Sequence, residues 1–187
     1  CTKLLNYAAT HPDAMVRFKA SDMILHIHID ASYLSEAKAR SRVGGYFFLG
    51  DGSNNPPLNG AIHMVSQIMP NVMASAAEAE VGGLFINGQA ACPIRTTLTE
   101  LRHIQPPTTI VTDNEMLFKG MNEWRFGWKR RGWRKADGKP VANLDLWKQL
   151  DDIASTLPLL KWQWVRGHAG NEFNEMADGL ASAAARQ

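Results

Sequence analysis

The sequence predicts an α/β domain built on a five-stranded mixed sheet, its first three strands antiparallel, with helices on both faces. Three observations predict it. Three strand-like segments come first, separated only by turns. Beyond residue 75, helical and strand-like segments alternate, which implies parallel neighbours and covering helices. The 187 residues are 45% hydrophobic and 20% charged, which suits one domain burying its own core.

Residues 1–22 have no strong period, and His11-Pro12-Asp13 reads as a turn, so this stretch is expected to be a tail. Residues 23–31 alternate like a strand with one buried face. Leu25, Ile27 and Ile29 fall on one side, and His26, His28 and Asp30 on the other. A second strand spans 44–50, turn chemistry fills 51–57, and 61–69 gives a third strand. Ser75 and Glu78 have capping-box spacing at the head of an alanine-rich helix over 75–91, which Pro93 is expected to end. The β-branched run 108–112 reads as a buried fourth strand. Residues 114–131 look helical, bent or interrupted near Gly120 and Gly127, and 136–140 form a loop. Asn143 is placed to cap a helix reaching residue 155, which Pro158 breaks. A fifth strand covers 160–165 and a last helix 171–185.

The two cysteines, Cys1 and Cys92, do not suggest a disulfide framework, which fits a reducing compartment and a cytoplasmic location. No apolar run approaches the length of a membrane span, and no charged-then-apolar leader opens the chain. Charge is uneven. Residues 119–139 hold eight basic side chains against Glu123 and Asp137, a local +6 in a chain whose total is +2. Such a block suggests a polyanion docking there.

Four acids occupy telling positions. Asp30 sits in the first strand, Glu80 in the first helix, Asp113 at the end of the fourth strand and Asp178 in the last helix. Taken singly, an acid such as Glu80 reads as a surface carboxylate, whereas Asp30 is unusual because an acid is unfavourable in a strand. Brought together they would repel unless a divalent cation neutralised them, and hard oxygen donors favour Mg²⁺ or Mn²⁺ over zinc. Two such ions are the standard device for in-line phosphodiester hydrolysis. A zinc site at His26 and His28 lacks a convincing set of further ligands, with only His63 and His103 elsewhere to draw on.

With these acids, the run Arg166-Gly167-His168-Ala169-Gly170 resembles the ribonuclease H type 1 family over residues 23–187. From Trp124 onward, the stretches WKRRGW, DGKPVANLDLW and WQWVRGHAGNEFNEMAD resemble bacterial ribonuclease HI. Upstream, HIHIDASYLSE, GGYFFLGD and SAAEAEVGGLF resemble the ribonuclease H region of a long-terminal-repeat retrotransposon polyprotein. Residues 1–22 resemble the end of a reverse transcriptase connection region. A natural recombinant and a built hybrid both fit this pattern.

The resemblance implies a ribonuclease H-like fold. It also implies a metal set of Asp30, Glu80, Asp113 and Asp178 holding two Mg²⁺ ions, with Mn²⁺ able to substitute. Glu78 ranks behind Glu80, because two residues along a helix point to different faces. His168 is implied to act beside the metals from a mobile loop, suited to moving a proton near neutral pH. The implied reaction cuts the RNA strand of an RNA/DNA hybrid, leaving 5′-phosphate and 3′-hydroxyl ends. The implied partner is that hybrid, with no membrane, bound by a monomer or by part of a reverse transcriptase polyprotein. Ser75 stands where the family has a phosphate-binding hydroxyl. Trp124, Lys129, Arg130, Arg131, Trp133 and Arg134 fall in what resembles a basic protrusion gripping the DNA strand.

At least one of Trp124 and Trp128 is expected in the core, and Trp147, Trp162 and Trp164 are assigned to packing. Four departures from the family pattern, Ala76, Ala77, Glu115 and Gly127, put hybrid affinity in question. Two rivals remain at this point. One is a catalytically weak or inactive nucleic-acid-binding module on the same fold. The other is a transposase or integrase core.

Overall fold

The computed structural model describes residues 2–156, 160–167 and 169–182. Its centre is a five-stranded sheet of β1 (Ile24–Glu36), β2 (Arg40–Gly50), β3 (Ala61–Ile68), β4 (Thr108–Thr112) and β5 (Leu160–Trp164), in the order β3-β2-β1-β4-β5. β1, β2 and β3 form an antiparallel meander, and β4 and β5 add in parallel on the other side of β1. The expected mixed sheet is therefore present. β1 and β2 run longer than their sequence signal, because a 3₁₀ turn over Ala37–Ala39 folds one straight onto the other.

The alternation in β1 sorts the two faces. Leu25, Ile27 and Ile29 are buried with Val81 and Leu84 of α2 (Ala76–Glu100). His26 and His28 are 4% exposed on the opposite face, where His28 lies against Phe173 of α6 (Glu172–Ala181) with ring centroids 5.0 Å apart. The side chains of Tyr46, Phe48 and Phe173 complete this second, smaller core. Burial, and then the neighbouring His26, push His28 down to about 3, so the imidazole packs as a neutral ring.

Gly44 and Gly45 let both helices approach the sheet. A Cβ on Gly44 would lie 2.1 Å from the Ala177 carbonyl of α6, and one on Gly45 would lie 1.9 Å from Asn87 Oδ1 of α2. In the β1–β2 register Gly44 is paired with Asp30.

Pro93 does not end its helix, since α2 continues to Glu100. Proline deletes one backbone hydrogen bond, at a cost of about 3 kcal/mol in a helix interior. The second half of α2 is held by tertiary contacts instead. Leu98 is buried, and the Arg95 guanidinium donates to the carbonyls of Gln105 at 2.6 Å and Pro106 at 2.7 Å.

The bend expected near Gly120 is a π-helical turn, Gly120–Trp124, joining α3 (Glu115–Lys119) to α4 (Arg125–Arg130). No break occurs at Gly127. At Gly120 a Cβ would lie 2.2 Å from the indole of Trp147 on α5 (Leu144–Thr156), so close helix approach requires glycine there. Asn143 precedes α5 with φ 54° and accepts from Trp147 N through its carbonyl. Pro158 and the expected end of the last helix beyond 182 lie outside the described residues.

The expected tail contains a helix, α1 (Thr2–Thr10). Local contacts close it: Tyr7 stacks on His11 and the Thr10 hydroxyl donates to Asn6 O. Its residues 5–10 are exposed, so it leaves no period of buried positions to read. The extended segment that follows is tied to the β2–β3 connection by two hydrogen bonds between Lys19 and Asn59.

Candidate active site

The site forms where two parallel strands part. The β1–β4 ladder runs from His26↔Thr109 to His28↔Val111 and stops. Two residues further along each chain stand Asp30, within β1, and Asp113, one residue past β4, where the parallel ladder has ended beside the carboxyl end of β4. Open α/β sheets bind ligands at such a place. Glu80 enters from the start of α2, where Ser75 caps the helix by accepting from Glu78 N. The Glu78 carboxylate turns back to accept from Ala74 N, so it is occupied by the cap and Glu80 alone is free to reach the gap.

Carboxylate oxygens of Asp30, Glu80 and Asp113 all lie within 4.8 Å of one another. Asp178, on α6, stands near enough for its charge to bear on Asp30. No lysine or arginine pairs with these acids among the described residues. Burial, followed by the nearby Asp113 and Asp178 carboxylates, pushes Asp30 up to about 7. Burial and the charges of Asp30 and Asp113 raise Glu80 well above the usual carboxylate range. Glu80 Oε2 is buried without a hydrogen-bond partner. An orphaned acidic oxygen beside two further carboxylates, with no counter-charge, fits a hard divalent cation. Among the described residues this is the one His, Cys, Asp and Glu group so arranged, and neither His26 nor His28 belongs to it.

Asp113 is supported on three sides. Asn174 Nδ2 donates to its Oδ2 at 3.3 Å, and Trp164 Nε1 donates to its main-chain oxygen at 2.9 Å. Gly167 lies so close that a Cβ there would meet Asp113 Oδ2 at 2.6 Å. His168 itself lies outside the described residues. Trp164, expected to be a packing residue, is instead 43% exposed. Sequence reading missed its part because an indole in a tryptophan-rich strand looks like core.

The other tryptophans divide. Trp128, Trp147 and Trp162 are buried, Trp133 packs partly against the same core, and Trp124 stays 39% exposed. An open groove beside α4 is lined by Trp124, Trp128, Arg130, Arg131 and Lys135, with Glu123 at its edge. Arg131 donates to Arg134 O, and Arg134 to Gly138 O, which orients both guanidiniums without neutralising them. Lys129 is different, since it pairs with Asp151. Glu115 pairs with Lys119 at the surface, 2.7 Å away, so its charge is partly answered.

The family model described as RNase H matches residues 23–186. The chain belongs to the ribonuclease H family. Among its relatives, the ribonuclease H of Aliivibrio salmonicida (strain LFI1238) is 51% identical over 87 residues, covering 46% of this chain and 55% of that protein. The ribonuclease H of Paramagnetospirillum magneticum (strain AMB-1) is 56% identical over 72 residues, covering 38% and 46%. This ribonuclease H family chain thus spans about half the length of the curated relatives it matches. Two solved structures share its fold. A foamy viral protease-reverse transcriptase in complex with dsDNA superposes with a TM-score of 0.62 at 19% identity, covering 91% of this chain and 98% of that one. LC9-RNase H1, a type 1 RNase H with the type 2 active-site motif, gives 0.60 at 21% identity, covering 90% and 74%.

Proposed function

We propose that this chain is a divalent-metal-dependent endonuclease that hydrolyses the RNA strand of RNA/DNA hybrids, leaving 5′-phosphate and 3′-hydroxyl ends. The observation that carries the reading is the convergence of Asp30, Glu80 and Asp113 with a buried, unpartnered Glu80 oxygen. Asp30, Glu80, Asp113 and Asp178 would hold two Mg²⁺ ions, with Mn²⁺ able to substitute. When bound, such ions neutralise the carboxylates, polarise the scissile phosphate and lower the pKa of attacking water.

The chain's own residues do the rest. The partly buried gap between β1 and β4 keeps the carboxylates in a medium where their charge is felt strongly. Ser75 sits at the α2 N-terminus, where a phosphate is favoured by the helix dipole and the free N–H groups. Arg130, Arg131 and Arg134 present charge to a nucleic-acid backbone, and the exposed face of Trp124 offers a stacking surface beside them. His168 is assigned a proton-moving or product-releasing role.

The docked extended segment before β1 and the fold shared with a viral reverse transcriptase support an origin within a reverse transcriptase polyprotein. High identity over less than half of this chain supports a part of bacterial type.

The test is to incubate the protein with labelled RNA/DNA hybrid, duplex DNA and duplex RNA, in Mg²⁺, Mn²⁺ or EDTA. Metal-dependent cutting of the hybrid alone is expected. Tight binding without cutting would replace the enzyme reading by a binding module, and nicking of duplex DNA would point to a transposase-like core.

A further inference from the structure

Asp113 stands one residue beyond the end of its strand. The β4–β5 ladder closes with Thr112↔Trp164, and Val165 N donates to Thr112 O at 3.0 Å. The next carbonyl, that of Asp113, takes the indole N–H of Trp164 at 2.9 Å. A side chain thus supplies the rung that the backbone no longer provides. The indole is 43% exposed, so burial alone does not account for a tryptophan at this edge.

The carboxylate of Asp113 is held separately. Asn174 is 1% exposed on the first turn of α6, and its backbone N–H is fixed by the Asn171 cap. Its Nδ2 donates to Asp113 Oδ2, while its Oδ1 is buried without a partner among the described residues. Leaving an amide oxygen unsatisfied costs about 1–3 kcal/mol. The amide therefore retains its orientation because the donor end faces the carboxylate. An apolar residue would fill the same space without that cost.

We propose that Trp164 and Asn174 are positioning residues for the metal site. The first fixes the Asp113 main chain and the second fixes its carboxylate, so that it meets Asp30 and Glu80 in one orientation. Groups that orient metal ligands in this way commonly matter tenfold or more for affinity. The inference rests on reading the carboxylate cluster as a divalent-cation centre.

The experiment uses the full chain as wild type, Trp164→Phe and Asn174→Ala. Phenylalanine keeps a planar ring and removes the N–H. Mn²⁺ affinity is measured by calorimetric titration, melting temperature in EDTA, and hybrid cleavage against Mg²⁺ concentration. For each variant the Mn²⁺ dissociation constant is expected to rise about tenfold. The Mg²⁺ concentration for half-maximal cleavage should rise in step, while KM for hybrid at saturating Mg²⁺ stays unchanged. A structural role alone would lower the melting temperature in EDTA and leave Mn²⁺ affinity at the wild-type value. That outcome in both variants overturns the proposal. If one variant fails to fold in EDTA, the other decides. Wild type that takes up no Mn²⁺ overturns the metal-site reading itself, a result distinct from wild-type-like affinity in the variants.

Discussion

Lys129 Nζ lies 2.6 Å from Asp151 Oδ2, and Arg125 reaches the other oxygen of the same carboxylate at 2.9 Å. Lys129 therefore meets any polyanion with its charge already answered, whereas Arg130 has no side-chain partner among the described residues. Arg130→Ala with Arg131→Ala should weaken hybrid binding and flatten its salt dependence by about one to two units of slope. Lys129→Ala should change the slope by much less. Titrations over a range of KCl concentrations, with Ca²⁺ replacing Mg²⁺ to prevent cleavage, measure both. An unchanged slope in the arginine double variant would remove this segment from the interface.

Asp151 is 5% exposed and answers two cations. Asp151→Asn leaves the largely buried Arg125 guanidinium uncompensated, which should cost about 3 kcal/mol. Urea denaturation of the two proteins at neutral pH checks this.

Asp30→Asn and Asp113→Asn should each abolish hybrid cleavage while the fold survives. Each removes one of several mutually repelling carboxylates, so in EDTA neither variant should melt below wild type. Circular dichroism melts alongside cleavage assays test the pair. Wild-type turnover in either variant would refute the site.

The raised Asp30 fixes the sign of a pH effect. Its ordinary value is 3.8 and its value in the fold is about 7, so between these the folded state holds a proton that the unfolded chain has released. The stability contribution of this group falls as pH rises through that window, and levels off above it. His28, held down by burial, works in the opposite sense, so a difference between proteins is the cleaner measure. In EDTA, the melting temperature of Asp30→Asn minus that of wild type should widen from pH 5 to pH 8. Saturating Mg²⁺ should raise the wild-type melting temperature more at pH 8 than at pH 5, since the cation competes with the proton.

Gly120→Ala would set a methyl 2.2 Å from the Trp147 indole. Overpacking of this kind costs about 1–3 kcal/mol. A lower urea midpoint is expected. An unaltered midpoint would mean that α3, the π turn and α5 can slide apart freely.

Much of this was legible before any coordinates. β1 declared itself because apolar and polar side chains alternate along it, Leu25, Ile27 and Ile29 facing α2 and His26 and His28 facing the smaller core. Asp30 stood out because an acid is unfavourable in a strand. The capping-box spacing of Ser75 and Glu78 marked where α2 begins; that the Glu78 carboxylate turns back to Ala74 N, leaving Glu80 for the cluster, was visible only in the structure. Other features were not local and could not be read. The continuation past Pro93 depends on Arg95 finding the carbonyls of Gln105 and Pro106. The part played by Trp164 depends on where β4 stops relative to β5. The neutralisation of Lys129 depends on α5 bringing Asp151 alongside, which no spacing within the basic segment reports.

Gly44 stands opposite Asp30 with Gly45 beside it, and together they set how near α2 and α6 come to the sheet from its two sides. Those helices carry Glu80 and Asp178. The spacing of the acidic cluster is therefore governed by a dipeptide that contributes no carboxylate to it. A methyl at 44 would displace the wall bearing Asp178, and a methyl at 45 the wall bearing Glu80. Anyone wishing to alter the spacing of these carboxylates should begin with β2, the strand that carries none of them, because there the spacing changes while every acid is retained.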